Sequence, residues 1–169
     1  FASAVLLYGM SILFGLTGST VLTEIAASDD MSENAPLITL AVVFIVVGFG
    51  FKVSAVPFHT WAPDTYQGAP LPVTAFLAVS SKAAGFVGLM SLIFVGLVGQ
   101  QDAWEPLLWV LAAATMTVGN LIALRQTNVV RMLAYSGVAQ AGFMLAALSV
   151  AGESLDVAGS AVGAVVTYL

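Results

Sequence analysis

The sequence predicts an all-α protein, a polytopic transmembrane helix bundle, on three observations. Of its 169 residues, 60% are hydrophobic and only 8% charged, whereas a soluble domain carries about 25% charged residues to solvate its surface. The mean hydropathy is +1.03, and the apolar residues gather into runs of the ~20 residues a helix needs to cross a bilayer. Those runs lack the ten-residue in–out alternation of membrane β-strands, so helices are the only spanning structure open to them.

Five runs qualify in order: residues 1–21, 37–58, 72–98, 106–124 and 129–151. A sixth, 155–169, is apolar but too short to span. Residues 1–169 are thus expected to form one transmembrane bundle, an internal piece of a longer multispanning chain. Phe1 opens directly into an apolar run without the basic flank of a signal peptide. Pro36, Pro72 and Pro106 fall where a first helical turn tolerates a missing N–H. Small residues recur as Gly85/Gly88, Gly96/Gly99 and Gly159/Gly163, a pattern that lets helices approach closely.

Charges between the runs set the topology. Glu24, Asp29, Asp30 and Glu33, then Asp102 and Glu105, then Glu153 and Asp156 occupy alternate connections that hold no Lys or Arg. Arg125 and Arg131 lie on the opposite side, which the positive-inside rule makes cytoplasmic, in a bacterial inner membrane. The connection 59–71 shares that side. Trp61 and Tyr66 within it suit the headgroup region, and Pro63, Asp64 and Gly68 suit a turn.

Composition also excludes functions. A net charge of −5 offers no basic patch for nucleic acid. With no cysteine and His59 as the sole histidine, iron–sulfur clusters, thiolate metal sites and bis-histidine haem have no ligands. The lack of glycine-rich phosphate loops removes support for nucleotide binding. No cofactor is therefore expected on this chain, and any redox chemistry linked to it belongs to another.

Against this background Lys52 and Lys82 stand out as single charges inside apolar, membrane-length runs. An ammonium near the bilayer centre costs roughly 2.5–3.5 kcal/mol on insertion scales. Counted from the ends of their runs, both lie at similar depth on adjacent antiparallel helices. Desolvation and mutual repulsion then favour the neutral amine, which suits a group that loads and releases protons. The competing reading is snorkelling to the headgroups, open to Lys52 more than to the deeper Lys82.

Pro57, five residues after Lys52, is expected to break the second helix by clashing with the Val53 carbonyl, placing polar backbone at depth as transporters do. An ordinary kink near a helix end is the alternative. His59 reads either as a surface anchor or as a proton-entry group. Ser80 and Ser81 stand beside Lys82, and Asn120 and Gln140 are candidates for interhelical hydrogen bonds.

The stretch GFKVSAVPFHTWAPDTYQGAPLPVTAFLAVSSKAAGF, residues 50–86, closely resembles the antiporter-like N subunits of bacterial complex I, the proton-pumping NADH:quinone oxidoreductase, whose mitochondrial counterpart is called subunit 2. GNLIALRQTNVVRMLAYSGVAQAGF, residues 119–143, resembles a further signature of these subunits, and the opening FASAVLLYGMSILFGLTGST also fits. The APLPV and SK pattern favours the N type over the related L and M types. The resemblance implies an antiporter-like core of fourteen helices, of which this chain would supply six to ten and the start of eleven. It implies a lateral relay in which Lys52 is the central lysine on a broken helix and Lys82 its partner on the next. A glutamate on helix five and a lysine on helix twelve would complete the relay, at positions outside these residues. At Gln140 many relatives carry His, so a titrating role there is not carried over.

The expected function is proton translocation within a respiratory NADH:quinone oxidoreductase, a translocase in which this chain is a non-redox subunit. Its partners would be the other membrane subunits and the lipid, and flavin, iron–sulfur clusters and quinone would sit on those partners. A subunit of a multisubunit sodium/proton antiporter is the nearest rival, and a purely structural scaffold the second.

Overall fold

A computed structural model describes residues 1–28, 34–152 and 154–169; the acids Asp29, Asp30, Glu33 and Glu153 of the sequence-based topology lie outside them. The described residues form helices and connections without strands. In chain order these are α1 (Ala2–Thr17), α2 (Leu22–Ala26), α3 (Ala35–Val53), α4 (Trp61–Gly68), α5 (Leu71–Gly96), α6 (Gln101–Ala123), α7 (Val129–Leu148) and α8 (Leu155–Tyr168). Four of them, α3, α5, α6 and α7, are long and apolar enough to cross a membrane.

The helix ends follow local chemistry. α1 stops earlier than the apolar run suggests, because Gly18 adopts the left-handed conformation (φ 68°) and returns its N–H to the Phe14 carbonyl. Pro36 and Pro72 occupy first turns as expected. Pro106 does not: α6 begins at Gln101, with Asp102 in its first turn, and leaves the proline inside the helix. An acid favours that start through its interaction with the unpaired N–H groups of the helix N-terminus. α7 opens on Asn128, whose side chain accepts from the Arg131 N–H, and α8 on Ser154, which accepts from Val157.

Packing is set by small residues. α6 and α7 form the tightest antiparallel pair: a Cβ added at Gly119 would lie 2.9 Å from the Ala139 nitrogen, and one at Gly142 would lie 2.7 Å from the Met116 nitrogen. α1 packs along α3 at Gly9 and Gly48, and α5 meets α3 at Gly85 and Gly88. The Gly159/Gly163 pair behaves differently, because no atom of the described structure lies within 4 Å of either added Cβ. The apolar core runs through Ile38, Val42 and Ile45 of α3, Phe86 and Leu89 of α5, Leu108 of α6 and Leu145 of α7. Outward faces stay apolar too, as at Trp109 (63% exposed) and Leu133 (61%). That is the surface a bilayer solvates.

Candidate functional site

The second span is broken, as the sequence predicts, but not where proline chemistry alone would place the break. α3 ends at Val53, three residues before the proline-containing peptide. Ser54 takes the left-handed conformation (φ 62°) that glycine usually supplies. Its N–H returns to the Phe51 carbonyl and that of Ala55 to the Gly50 carbonyl, 2.7 Å away, the paired bonds of a Schellman turn. Because the helix has already ended, Pro57 does not clash with the Val53 carbonyl. It lies in the non-helical link, where a residue without an N–H leaves no helical bond unmade, and the Val56–Pro57 peptide is cis.

The freed backbone finds partners on two other elements. Val56 N–H donates to Thr115 Oγ1 at 3.0 Å, and Thr115 is fully buried on α6. Trp61 Nε1 donates to the Phe51 carbonyl at 2.9 Å and ties the start of α4 to the end of α3. The Trp61 ring packs on Phe51 with centroids 5.3 Å apart and meets Tyr66 edge-on. Trp61 and Tyr66 therefore stitch the break, and Tyr66, at 4% exposed, is buried where a headgroup anchor is expected to be exposed. The connection read as a turn holds α4, because residues 61–68 extend the broken span.

Lys82 is buried, 5% exposed, and its Nζ donates to the backbone carbonyl of Gly137 on α7 at 2.7 Å. Just before it, the helix widens into a π-type turn over Leu77–Ser81, a device that changes which way the following side chains point. Neither Ser80 nor Ser81 bonds the ammonium. Tyr66 Oη instead reaches the Leu77 carbonyl at 3.4 Å, and Thr74 Oγ1 the Tyr66 carbonyl at 3.0 Å.

Lys52 sits differently. Its stem lies against α5, its Cβ 3.5 Å from a Cβ added at Gly85, one turn after Lys82. At 1.5 Å per residue, Lys82 and Gly85 lie roughly 16 and 21 Å along α5 from Leu71. Both lysines are thus at mid-depth on packed neighbouring helices. Lys52 is exposed and has no hydrogen-bond or ion-pair partner among the described residues.

His59 is 7% exposed and lies against the Pro57 backbone; its Nδ1 is buried with no well-formed hydrogen bond among the described residues, and its ring is edge-on to Tyr135 at 6.0 Å. The ring is thus buried, where the surface-anchor reading expects it exposed. Ser54 Oγ is also buried, with no hydrogen-bond partner among the described residues. Asn120 and Gln140 are exposed, and neither side chain makes the expected interhelical bond. No group of metal-ligating side chains occurs among the described residues.

Two partners were missed from sequence. Gly137 is a backbone acceptor and leaves no mark in residue chemistry. Asp64 pairs with Arg131, Nη1 to Oδ1 2.5 Å, and the same Nη1 reaches Gln67 at 3.1 Å. The readable signal was the single acid on the basic side of the chain. The pair holds α4 against the start of α7, and so puts 59–71 on the Arg131 side as expected.

These features define a polytopic helical membrane protein with a broken span and a buried, carbonyl-bound cation on the span beside it. Residues 1–167 match the family described as NADH:quinone oxidoreductase/Mrp antiporter, TM, and the chain belongs to that family. It is 52% identical over 153 residues to NADH-quinone oxidoreductase subunit N of Desulforamulus reducens, covering 90% of this chain and 32% of the relative. A chain of respiratory complex I from Thermus thermophilus with bound aureothin superposes with a TM-score of 0.76 at 38% identity, over 99% of this chain and 35% of that one. A chain of the Mrp complex from Dietzia sp. shares the fold, with a TM-score of 0.77 at 24% identity over 88% of this chain and 27% of that one. The chain thus spans about a third of the length of the relatives it matches.

Proposed function

We propose that these residues form the middle of a proton-translocating membrane subunit of a respiratory NADH:quinone oxidoreductase, with Lys82 and Lys52 as consecutive proton carriers at mid-membrane. The observation that carries this reading is Lys82: an amine at the centre of an apolar span, held by a backbone carbonyl, with no acid among the described residues within ion-pair distance. A structural ammonium is best retained when paired with a carboxylate. One bound to a neutral carbonyl is not locked in its charged form and can exchange its proton. Lys52 lies a turn away against the same helix, and its free ammonium faces outward from the described helices. The glutamate that the resemblance implies on helix five would belong on that side.

The break gives Lys52 its surroundings. Ending α3 at Val53 places Lys52 in the last helical turn, two residues before the buried Ser54 and ahead of the buried His59. His59 is the entry group from the Arg131 side in this reading, and that side is cytoplasmic. The chain itself does no redox chemistry. Flavin, iron–sulfur clusters and quinone belong to partner subunits, and this chain is a non-redox part of the translocase in the bacterial cell membrane.

The sodium/proton antiporter reading shares the architecture but has weaker support, since likeness to the Mrp complex stands at 24% identity against 52% for the subunit N relative. The deciding experiment uses the intact complex carrying Lys82→Ala or Lys52→Ala in the full-length subunit. Protons moved per NADH oxidised are expected to fall at least severalfold while the complex still assembles. Unchanged pumping in both variants sinks the relay. Transport driven by sodium and indifferent to NADH and quinone-site inhibitors would favour the antiporter.

A further inference from the structure

Gly137 breaks a local rule. It stands in the interior of α7, where glycine is among the poorest helix formers, and its position is not one where another helix's backbone needs the space. A Cβ added at Gly142 would strike Met116, and one at Gly119 would strike Ala139. At Gly137 an added Cβ meets one atom of the described structure within 4 Å, Lys82 Nζ at 3.2 Å. The missing side chain therefore makes room for the lysine and for nothing else described.

The carbonyl of the same residue accepts from that ammonium at 2.7 Å. A helix carbonyl has a second lone pair beyond the one used along its own helix, so α7 stays intact while it binds a cation. The approach also needs aim from the other side, and the π-type turn at Leu77–Ser81 ends at the residue before Lys82. Two cavities meet at this bond, and Ala78, Lys82 and Gly137 line both. One, of about 260 Å³, extends toward Tyr66, Thr74 and Val130 on the Arg131 side; the other, of about 200 Å³, extends toward Gln140, Met144 and Tyr168.

We propose that Gly137 is the positioning residue for Lys82: its carbonyl is the resting berth of the protonated amine, and its bare α-carbon keeps that berth open between the two cavities. A charge-assisted bond is stronger than a neutral one, so the berth holds the loaded lysine and loosens its grip once the proton has gone. The proposal rests on the relay reading of Lys82 given above, and its test separates the two.

The test is a four-protein cycle in the assembled complex with the full-length subunit: the parent, Gly137→Ala, Lys82→Ala and the double variant. Two quantities are read, the midpoint of thermal dissociation and the protons moved per NADH oxidised. With Lys82 present, Gly137→Ala is expected to leave the midpoint unchanged or lower it, and to cut the pumping ratio at least twofold. In the Lys82→Ala background the same change is expected to raise the midpoint, because alanine is the better helix former and nothing opposes its Cβ. It should cost no further pumping there. An equal midpoint change in both backgrounds overturns the berth even if Lys82→Ala abolishes pumping, which would leave the relay reading standing. Normal pumping by Lys82→Ala with a non-additive midpoint overturns the relay and with it the functional part of this proposal. If Gly137→Ala prevents assembly only when Lys82 is present, the berth is supported; if it prevents assembly in both backgrounds, the berth is wrong.

Discussion

Single atoms decide the chemistry around the break. The Val56 N–H is the backbone donor of this link that bonds across to α6, and Thr115 Oγ1 takes it while donating its own hydrogen to the Leu111 carbonyl. Thr115→Val keeps the shape and removes the acceptor, leaving a half-buried N–H unpaired at a cost of about 1 kcal/mol or more. The expected result is a lower thermal-dissociation midpoint for the complex, with Thr115→Ser restoring most of it. Equal midpoints for the valine and serine variants would show that the bond does not hold the break. The Arg131–Asp64 pair behaves in the opposite way. Asp64's side chain is 73% exposed, and exposed ion pairs contribute about 0–1 kcal/mol. Its use is to place α4 against α7 more than to stabilise the bundle. Both lysines were legible at this scale, because a charge in an apolar run is costly wherever it points. Their partners were not, since a carbonyl acceptor carries no residue signature.

Helices meet through glycines here, and only tertiary packing separates the glycines that matter from those that do not. Gly142 and Gly163 look alike in sequence, each inside an apolar helix. Yet a Cβ at Gly142 would stand 2.7 Å from the backbone of Met116, whereas one at Gly163 has no described atom within 4 Å. Gly142→Ala should therefore push α6 and α7 apart and lower the dissociation midpoint. Gly163→Ala should leave it unchanged or raise it, since alanine is favoured over glycine in a helix by roughly 1 kcal/mol. The reverse order would mean that the close helix packing lies at Gly163 on α8 and not at Gly142 on α7. Element boundaries illustrate the same division. The α3 break was foreseen from Pro57 but begins at Ser54, because a left-handed residue can end a helix before the proline is reached. The Trp61–Gly68 segment was read as a turn because Pro63, Asp64 and Gly68 favour turns, yet it folds as α4, bonded to the end of α3 and ion-paired to α7.

Across the whole molecule, alternate connections must face opposite sides of the bilayer. These 169 residues contain no cysteine, so in a full-length subunit cleared of any cysteine outside them Arg125→Cys and Gln100→Cys each introduce one unambiguous reporter. In sealed, right-side-out vesicles a membrane-impermeant thiol reagent should label the Gln100→Cys protein and spare the Arg125→Cys protein. Inverted vesicles should reverse this. Labelling of both from one side would overturn the crossing order, and reversal of the two would overturn the cytoplasmic assignment of the Arg125/Arg131 side.

The sequence by itself determined that this is a helical membrane bundle, roughly where its long helices run though not where each begins and ends, and that two apolar runs carry an amine. Those properties follow from length, hydropathy and charge, which act locally and need no knowledge of neighbours. Only the tertiary structure decided that Lys82 is held by the Gly137 carbonyl while Lys52 has no partner among the described residues, that Thr115 and Trp61 close the broken span, and that Asp64 docks α4 on α7. Each of these is a meeting of residues from different helices. Hydrogen-bond reach and close packing set such meetings in three dimensions, and no periodicity along one chain records them.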